Sequence, residues 1–289
     1  MTAMTLSELV EPIGKEAFLK GHWPSTMYCT GARPLLAQRV REASPLVDIE
    51  ELVSSYGSGV SLLHKSGASL EGVSGDEALA KARDGWTCYL RRVHENSEQL
   101  SDWIASVAAD LATPIEWMSI EIFWSRSAGG VSMHSDYDAN LALLLEGNKR
   151  WHLAPNLHLR EQPGVCLGGS RRQPDARVAQ LTSGVELPDA MPGSSQVVEA
   201  GPGSLLFIPR GWWHQTETTG PTLQLNFVVK GPSFRDLALA AIDEAALADE
   251  RWRRFAYGHA QPGAGDEHSR VVGRLLKELG DEIENGRRQ

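Results

Sequence analysis

Apolar residues are spaced in three ways along this chain, and each spacing predicts a different element. At the start, Leu6 to Phe18 and Leu35 to Val40 carry helical patterns, separated by the interruption His22-Trp23-Pro24. Gly59-Val60-Ser61-Leu62-Leu63 predicts a strand, Asp76 to Arg83 a short helix ended by Asp84-Gly85, and Trp86 to Val93 another strand. Leu100, Trp103, Ile104, Val107 and Leu111 recur at helical intervals within 95–111, and Pro114 closes that element. Glu116 to Trp124 is strand-like. Leu141 to Leu145 is an unbroken short apolar run suited to a buried strand. Gly147-Asn148 then predicts a two-residue hairpin turn, with Lys149 to Leu153 as the returning strand.

Two regions depart from this strand-rich middle. Residues 156–196 hold Gly, Pro, Arg and Asp with little apolar periodicity. A segment so long and irregular inside a domain is either a functional cover or an inert insertion. After Gly231-Pro232 the pattern turns helical over Phe234 to Phe255, and a Gly/Pro break follows at 258–265. Val272, Leu275, Leu276, Leu279 and Ile283 then form an apolar stripe, and such a face must bury against something. The organisation expected is a lead-in over 1–60, a β domain over 61–231 containing the 156–196 insertion, and a helical segment over 232–289.

Composition narrows the class. The chain has 289 residues, 42% of them hydrophobic, and a net charge of −9. An acidic balance argues against nucleic acid as the main partner, because phosphate binding needs clustered Lys and Arg. Cys29, Cys88 and Cys166 are odd in number and scattered, which fits neither a disulfide framework nor a zinc pattern. The opening Met-Thr-Ala-Met-Thr-Leu lacks a signal-peptide pattern. No apolar stretch reaches the ~18 residues of a membrane span. A cytoplasmic, reducing setting is therefore expected.

The candidate chemistry lies in His134-Ser135-Asp136 and, farther on, His214. A His-x-Asp pair with one distant His is a facial ligand set for non-haem Fe(II) that leaves positions open for other ligands. In a strand, His134 and Asp136 share one face. Taken alone, each piece has a plainer reading: a loop His beside a solvated Asp, and a core His beside Trp212 and Trp213. Gly129-Gly130-Val131 leads into His134, as a backbone closing on a metal would.

His134-Ser-Asp136, Asn140, Gly147-Asn-Lys149-Arg150-Trp151 and Pro155 resemble the JmjC-type (cupin-like) Fe(II)/2-oxoglutarate oxygenases. Gly203-Ser-Leu-Leu-Phe-Ile-Pro209-x-Gly211-Trp212-Trp213-His214 is similar to that family's second block, and Leu225-Asn226-Phe227-Val228 to the strand after it. The blocks fall within 85–231. The stretch from His134 to Trp151 is close to both the factor-inhibiting asparaginyl hydroxylase branch and the ribosomal-protein oxygenase branch. Ser204 stands where the family usually has Asp, and Val131 where Thr is common, which puts one hydrogen bond to the co-substrate in doubt.

The resemblance implies a mainly β fold with flanking helices, a double-stranded β-helix (jelly-roll, cupin) barrel with a C-terminal helical appendage. It implies Fe(II) on His134, Asp136 and His214, with 2-oxoglutarate and O2 as co-substrates. Lys149 would meet the distal carboxylate of 2-oxoglutarate, which fits the high cost of an unpaired buried charge. The plainer reading of Lys149 is a turn lysine opposite Glu146. Asn140 would hydrogen-bond to the co-substrate. Asn226 is either a second polar contact or a satisfied core amide, and Tyr89 a core aromatic or a further contact. The implied reaction is hydroxylation coupled to oxidative decarboxylation of 2-oxoglutarate, on a side chain of a protein or peptide. Alternatives are a small-molecule or amino-acid hydroxylase, an N-methyl-lysine demethylase, a zinc hydrolase and a non-catalytic ligand-binding cupin. The asparaginyl hydroxylase branch dimerises through C-terminal helices, which implies a homodimer here.

Overall fold

The computed structural model describes residues 4–43, 45–57, 59–258 and 263–285. Two compact units divide the chain, Met1–Gly231 and Pro232–Gln289. The first begins with α1 (Leu6–Leu9), α2 (Gly14–Gly21), β1 (Tyr28–Cys29), α3 (Pro34–Arg41) and α4 (Ile49–Ser55). The single helix expected over Leu6 to Phe18 is two, because Pro12 lacks an N–H and cannot sit in a helix interior. Arg33 donates to the carbonyls of Glu8 and Leu9, satisfying the groups that the break leaves open. Next come β2 (Val60–Leu63), β3 (Ser69–Val73), α5 (Gly75–Arg83), β4 (Thr87–Leu90) and α6 (Glu98–Asp110). Ser97 caps α6 by accepting from Leu100 N, so the helix starts at Glu98, after a 3-10 turn over Val93–Asn96.

The β domain continues with β5 (Met118–Ser125), β6 (Gly129–Ser135), β7 (Ala139–Glu146) and β8 (Lys149–Ala154). Then follow β9 (Cys166–Leu167), α7 (Ala176–Leu181), β10 (Gln196–Ala200), β11 (Leu205–Ile208), β12 (Trp213–Thr218) and β13 (Thr222–Val229). One sheet has the order β1-β11-β7-β13-β5-β4-β2-β3, the other β10-β8-β12-β6-β9. From β5 to β8, and again from β10 to β13, every successive strand changes sheet. That alternation is jelly-roll connectivity, and it gives the mainly β fold with flanking helices.

The hairpin expected at Gly147-Asn148 is not one. β7 pairs with β11 and β13, whereas β8 pairs with β10 and β12. The turn carries the chain from one sheet to the other. Gly147 is required there: its φ is +81°, and a Cβ would lie 2.0 Å from the Pro221 carbonyl oxygen. Glu146 consequently does not face Lys149; it pairs with Arg41 at 2.7 Å.

The larger sheet buries its outer face against helices. Leu141, Leu143, Leu225, Phe227, Ile120 and Ile122 join Phe18, Leu100 and Ile104 in the main core. Between the sheets, Ala142, Leu144, Leu206 and Ile208 meet Trp151 and Leu153 of the smaller sheet. The rest of that inter-sheet space is a cavity lined by both polar and aromatic side chains.

In the second unit, α8 (Phe234–Ala248) opens with a capping box between Ser233 and Asp236, and α9 (Ala264–Glu284) follows. Arg251 pairs with Asp249 at 2.7 Å and with Glu278 of α9 at 2.8 Å. Of the expected 258–265 break, residues 259–262 lie outside the described residues. Leu275 and Leu279 of the apolar stripe are buried, while Val272, Leu276 and Ile283 are exposed. Among the described residues no helix is long and apolar enough to cross a membrane.

Candidate metal and co-substrate site

His134 lies at the end of β6 and His214 directly opposite it on β12. Asp136 follows the strand end, two residues on, so its side chain returns to the same face. Asp136 Oδ1 is 3.6 Å from His134 Nε2, and Asp136 Oδ2 is 3.5 Å from His214 Nε2. One donor atom from each of the three lies within 4.8 Å of the others. The His134 Nδ1 is 2.8 Å from Ser132 O, and the His214 Nδ1 is 3.0 Å from Trp212 O. A carbonyl can only accept, so each Nδ1 carries the proton and each Nε2 presents a lone pair. Burial, reinforced by His134, pushes His214 down to about 4, so it is neutral and metal-competent at ordinary pH. Two imidazoles and a carboxylate on one side of a cavity are a fitting donor set for Fe(II).

Gly130 serves a different neighbour from the one the sequence indicates. A Cβ there would lie 2.1 Å from Thr216 O, where β12 is irregular between His214 and Thr216. The glycine admits the backbone of β12, not a metal.

The three side chains open on a cavity of about 430 Å³ between the sheets. Lys149, at the start of β8, is buried in it and has no carboxylate partner among the described residues. Its Nζ donates to Gln224 Oε1 at 2.9 Å and sits over the Trp151 ring at 4.7 Å. Burial lowers it from 10.5 to about 7. A hydrogen-bonded ladder runs on from this ammonium. Gln224 Nε2 donates to Asn226 Oδ1 at 2.6 Å, Asn226 Nδ2 to Asn140 Oδ1 at 3.1 Å, and Asn140 Nδ2 to Asp138 Oδ1 at 3.2 Å. The sequence-derived Lys149, Asn140 and Asn226 thus meet in one network, whose missing members were Gln224 and Asp138. Burial and then the Asp136 charge hold Asp138 well above the usual carboxylate range.

Tyr89 is a cavity wall and not a core residue. It stacks on Phe123 at 4.5 Å and donates to Glu121, whose other oxygen accepts from Ser119 at 3.1 Å. Arg91 lies over the same Tyr89 ring at 4.4 Å. Val131, at the position where Thr is common, also lines the cavity. Ser204 Oγ accepts from Gly201 N at 3.2 Å, a turn contact that the expected Asp would also make. All three cysteines are free thiols; burial raises Cys88 to about 12 and Cys166 to about 11.

Residues 64–229 match the model of the family described as cupin-like domain. The chain is 26% identical over 278 residues to the uncharacterized protein YxbC of Bacillus subtilis (strain 168), covering 90% of this chain and 81% of that one. It is 28% identical over 134 residues to HSPB1-associated protein 1 of Homo sapiens, covering 42% of this chain and 25% of that protein. Among solved structures, E. coli ycfD aligns with a TM-score of 0.57 at 16% identity, over 93% of this chain and 70% of that chain. A structure of E. coli YcfD, described as a ribosomal oxygenase in complex with cobalt and 2-oxoglutarate, aligns with a TM-score of 0.53 at 15% identity. It covers 90% of this chain and 66% of that chain. These last likenesses are of fold. The family match spans more than half of the chain, and the chain belongs to the cupin-like domain family.

Proposed function

We propose that this protein is an Fe(II)- and 2-oxoglutarate-dependent hydroxylase acting on a side chain of a protein or peptide. The observation that carries the reading is Lys149, a buried cation with no carboxylate partner among the described residues, facing the same cavity as His134, Asp136 and His214. A lone buried ammonium calls for an anion, and the distal carboxylate of 2-oxoglutarate supplies one. Fe(II), bound with 2-oxoglutarate and O2, supplies the oxidising power for C–H hydroxylation, with succinate and CO2 as co-products.

The chain's own residues bind, orient and exclude water. His134, Asp136 and His214 hold the metal, their outward nitrogens fixed by Ser132 O and Trp212 O. Lys149 holds its proton against burial once a carboxylate is beside it, and Gln224 aims the ammonium. Asn140 and Asn226 present amides along the co-substrate channel. The aromatic wall of Tyr89, Phe123 and Trp151 keeps bulk water from the reacting carbon. A macromolecular substrate is supported by the half-exposed rim at Arg91, Tyr137 and Lys230, which leaves room for an inserted side chain. It is also supported by the ribosomal oxygenase described above.

Succinate release in the presence of Fe(II) and 2-oxoglutarate, with and without candidate peptides, tests this. His214→Ala should fall to background while remaining folded. Full turnover in that variant would remove the triad assignment, and absence of succinate from the wild type would favour a binding-only cupin. Stimulation by free amino acids and not by peptides would favour the small-molecule hydroxylase, and formaldehyde release the demethylase.

A cytoplasmic setting suits Fe(II) and three free thiols. A homodimer through α9 is supported by exposed Val272, Leu276 and Ile283, an apolar surface that a second copy would cover. Light scattering at micromolar concentration should give twice the chain mass, and Leu276→Arg should halve it. A wild-type monomer would rule the dimer out.

A further inference from the structure

The segment from 156 to 196 is tied to the strand that carries the first candidate ligand. Its strand β9 pairs with β6 at His134 and Ser135, on the side away from β12. The strand that carries the first ligand is therefore held along both edges. Arg171 strengthens the outer contact, donating to Ser132 Oγ at 2.8 Å and to Met133 O.

Gln162 occupies the centre of this arrangement and is fully buried. Its side chain meets Ser135, the residue between the ligands His134 and Asp136. The Gln162 Nε2 donates to Ser135 O at 2.7 Å and to Gly164 O at 3.1 Å. The Oε1 accepts from Ser135 Oγ at 3.0 Å and from Asn156 Nδ2 at 3.4 Å. Both amide hydrogens and both lone pairs are thus used. A reversed amide would set the oxygen against two carbonyls, so the side chain has one orientation. The backbone of the same residue reaches the other ligand-bearing segment: Gln162 O accepts from Arg210 Nη2 at 3.0 Å. Arg210 begins the turn that delivers His214, and its neighbour Gly211 donates N–H to Asp136 O at 2.8 Å.

We propose that Gln162 is a positioning residue for the metal centre, joining the backbone between His134 and Asp136 to the turn that delivers His214 and so fixing the separation of the three ligands. This rests on the reading of those three as Fe(II) ligands. Groups that orient metal ligands affect metal affinity strongly although they never touch the metal. The arrangement also explains why the insertion is attached where it is. Removing 156–196 would strip the outer edge of β6 and take metal binding with it, together with the cavity wall made by Val165 and Leu167.

Co(II) titration of the full chain provides the test, using its visible d–d absorption as a signature of ligand geometry. Gln162→Met keeps the length and apolar bulk of the side chain but none of its hydrogen bonds. Expected is a folded protein whose Co(II) Kd rises about ten- to a hundred-fold, with an altered d–d spectrum. The rise in Tm that Co(II) produces should shrink. A purely structural role would lower the metal-free and Co(II)-loaded Tm equally and leave the spectrum and Kd at wild-type values, and that result overturns the proposal. If Gln162→Met does not fold, Ser135→Ala removes only the hydroxyl half of the contact and leaves the bond to Ser135 O. It should shift Kd and spectrum in the same direction by a smaller factor, and wild-type values there overturn the proposal equally. Failure of the wild type to bind Co(II) would instead count against the iron reading.

Discussion

The two faces of the larger sheet are built from the same strands and have opposite characters. On β13, Leu223, Leu225, Phe227 and Val229 point to the helices and are buried in the main core. Their alternates Gln224 and Asn226 are equally buried but point into the cavity, where each spends its amide on a neighbour. β5 repeats the division, with Ile120 and Ile122 outside and Glu121 and Phe123 inside. Alternation along a strand therefore separates stability from chemistry at a spacing of one residue. One face gains from being apolar. The other holds polar groups that cost stability unless each finds a partner.

Paired substitutions can break this comparison. On the outer face, Phe227→Ala should cost about 3–5 kcal/mol, read as a lower denaturant midpoint, while the co-substrate concentration needed for half-maximal succinate release stays near wild type. A large rise in that requirement would mean that the faces are coupled. On the inner face, Lys149→Met should do the reverse. It should raise the stability of the metal-free protein, because the burial cost of the charge exceeds the loss of the bond to Gln224 Oε1, and abolish the response to 2-oxoglutarate. A destabilised, fully active Lys149→Met would return the lysine to a structural role.

The sign with pH sharpens the second case. Lys149 has a depressed folded-state value of about 7 against 10.5 in the unfolded chain. Between those values the unfolded state binds more protons, so this group makes the wild type gain stability as pH rises from about 7 toward 10.5. Below about 7 the cost of the buried charge is present in full. Lys149→Met should lose that part of the slope, measurable as a flatter Tm against pH.

The three metal-binding candidates were legible because two of them lie in one short motif, whose spacing alone fixes a shared face. Lys149 was legible only by resemblance, since its local setting beside Gly147-Asn148 points to an exposed hairpin. That misreading has a simple cause. A glycine with positive φ announces a sharp turn but carries no information about which sheet the next strand joins. Gln224 and Glu121 left no trace, because a single polar residue in an apolar strand has the same appearance whether it faces a cavity or a satisfied core. The 156–196 segment was unreadable for another reason: its order comes from a two-residue strand, a six-residue helix and single side chains, Gln162 and Arg171, that bond far along the chain. The jelly-roll alternation of sheets was legible only through the family resemblance.

The ladder from Lys149 through Gln224, Asn226 and Asn140 to Asp138 has a direction. It begins at the Lys149 ammonium, which donates, and ends on Asp138 Oδ1, which accepts, and the three amides between them all point the same way. Reversing or losing one rung leaves its neighbours with like ends opposed. The consequence is collective: a substitution at Gln224 or Asn226 takes a partner away from the groups on both sides of it, so the polar face of the sheet responds as one unit.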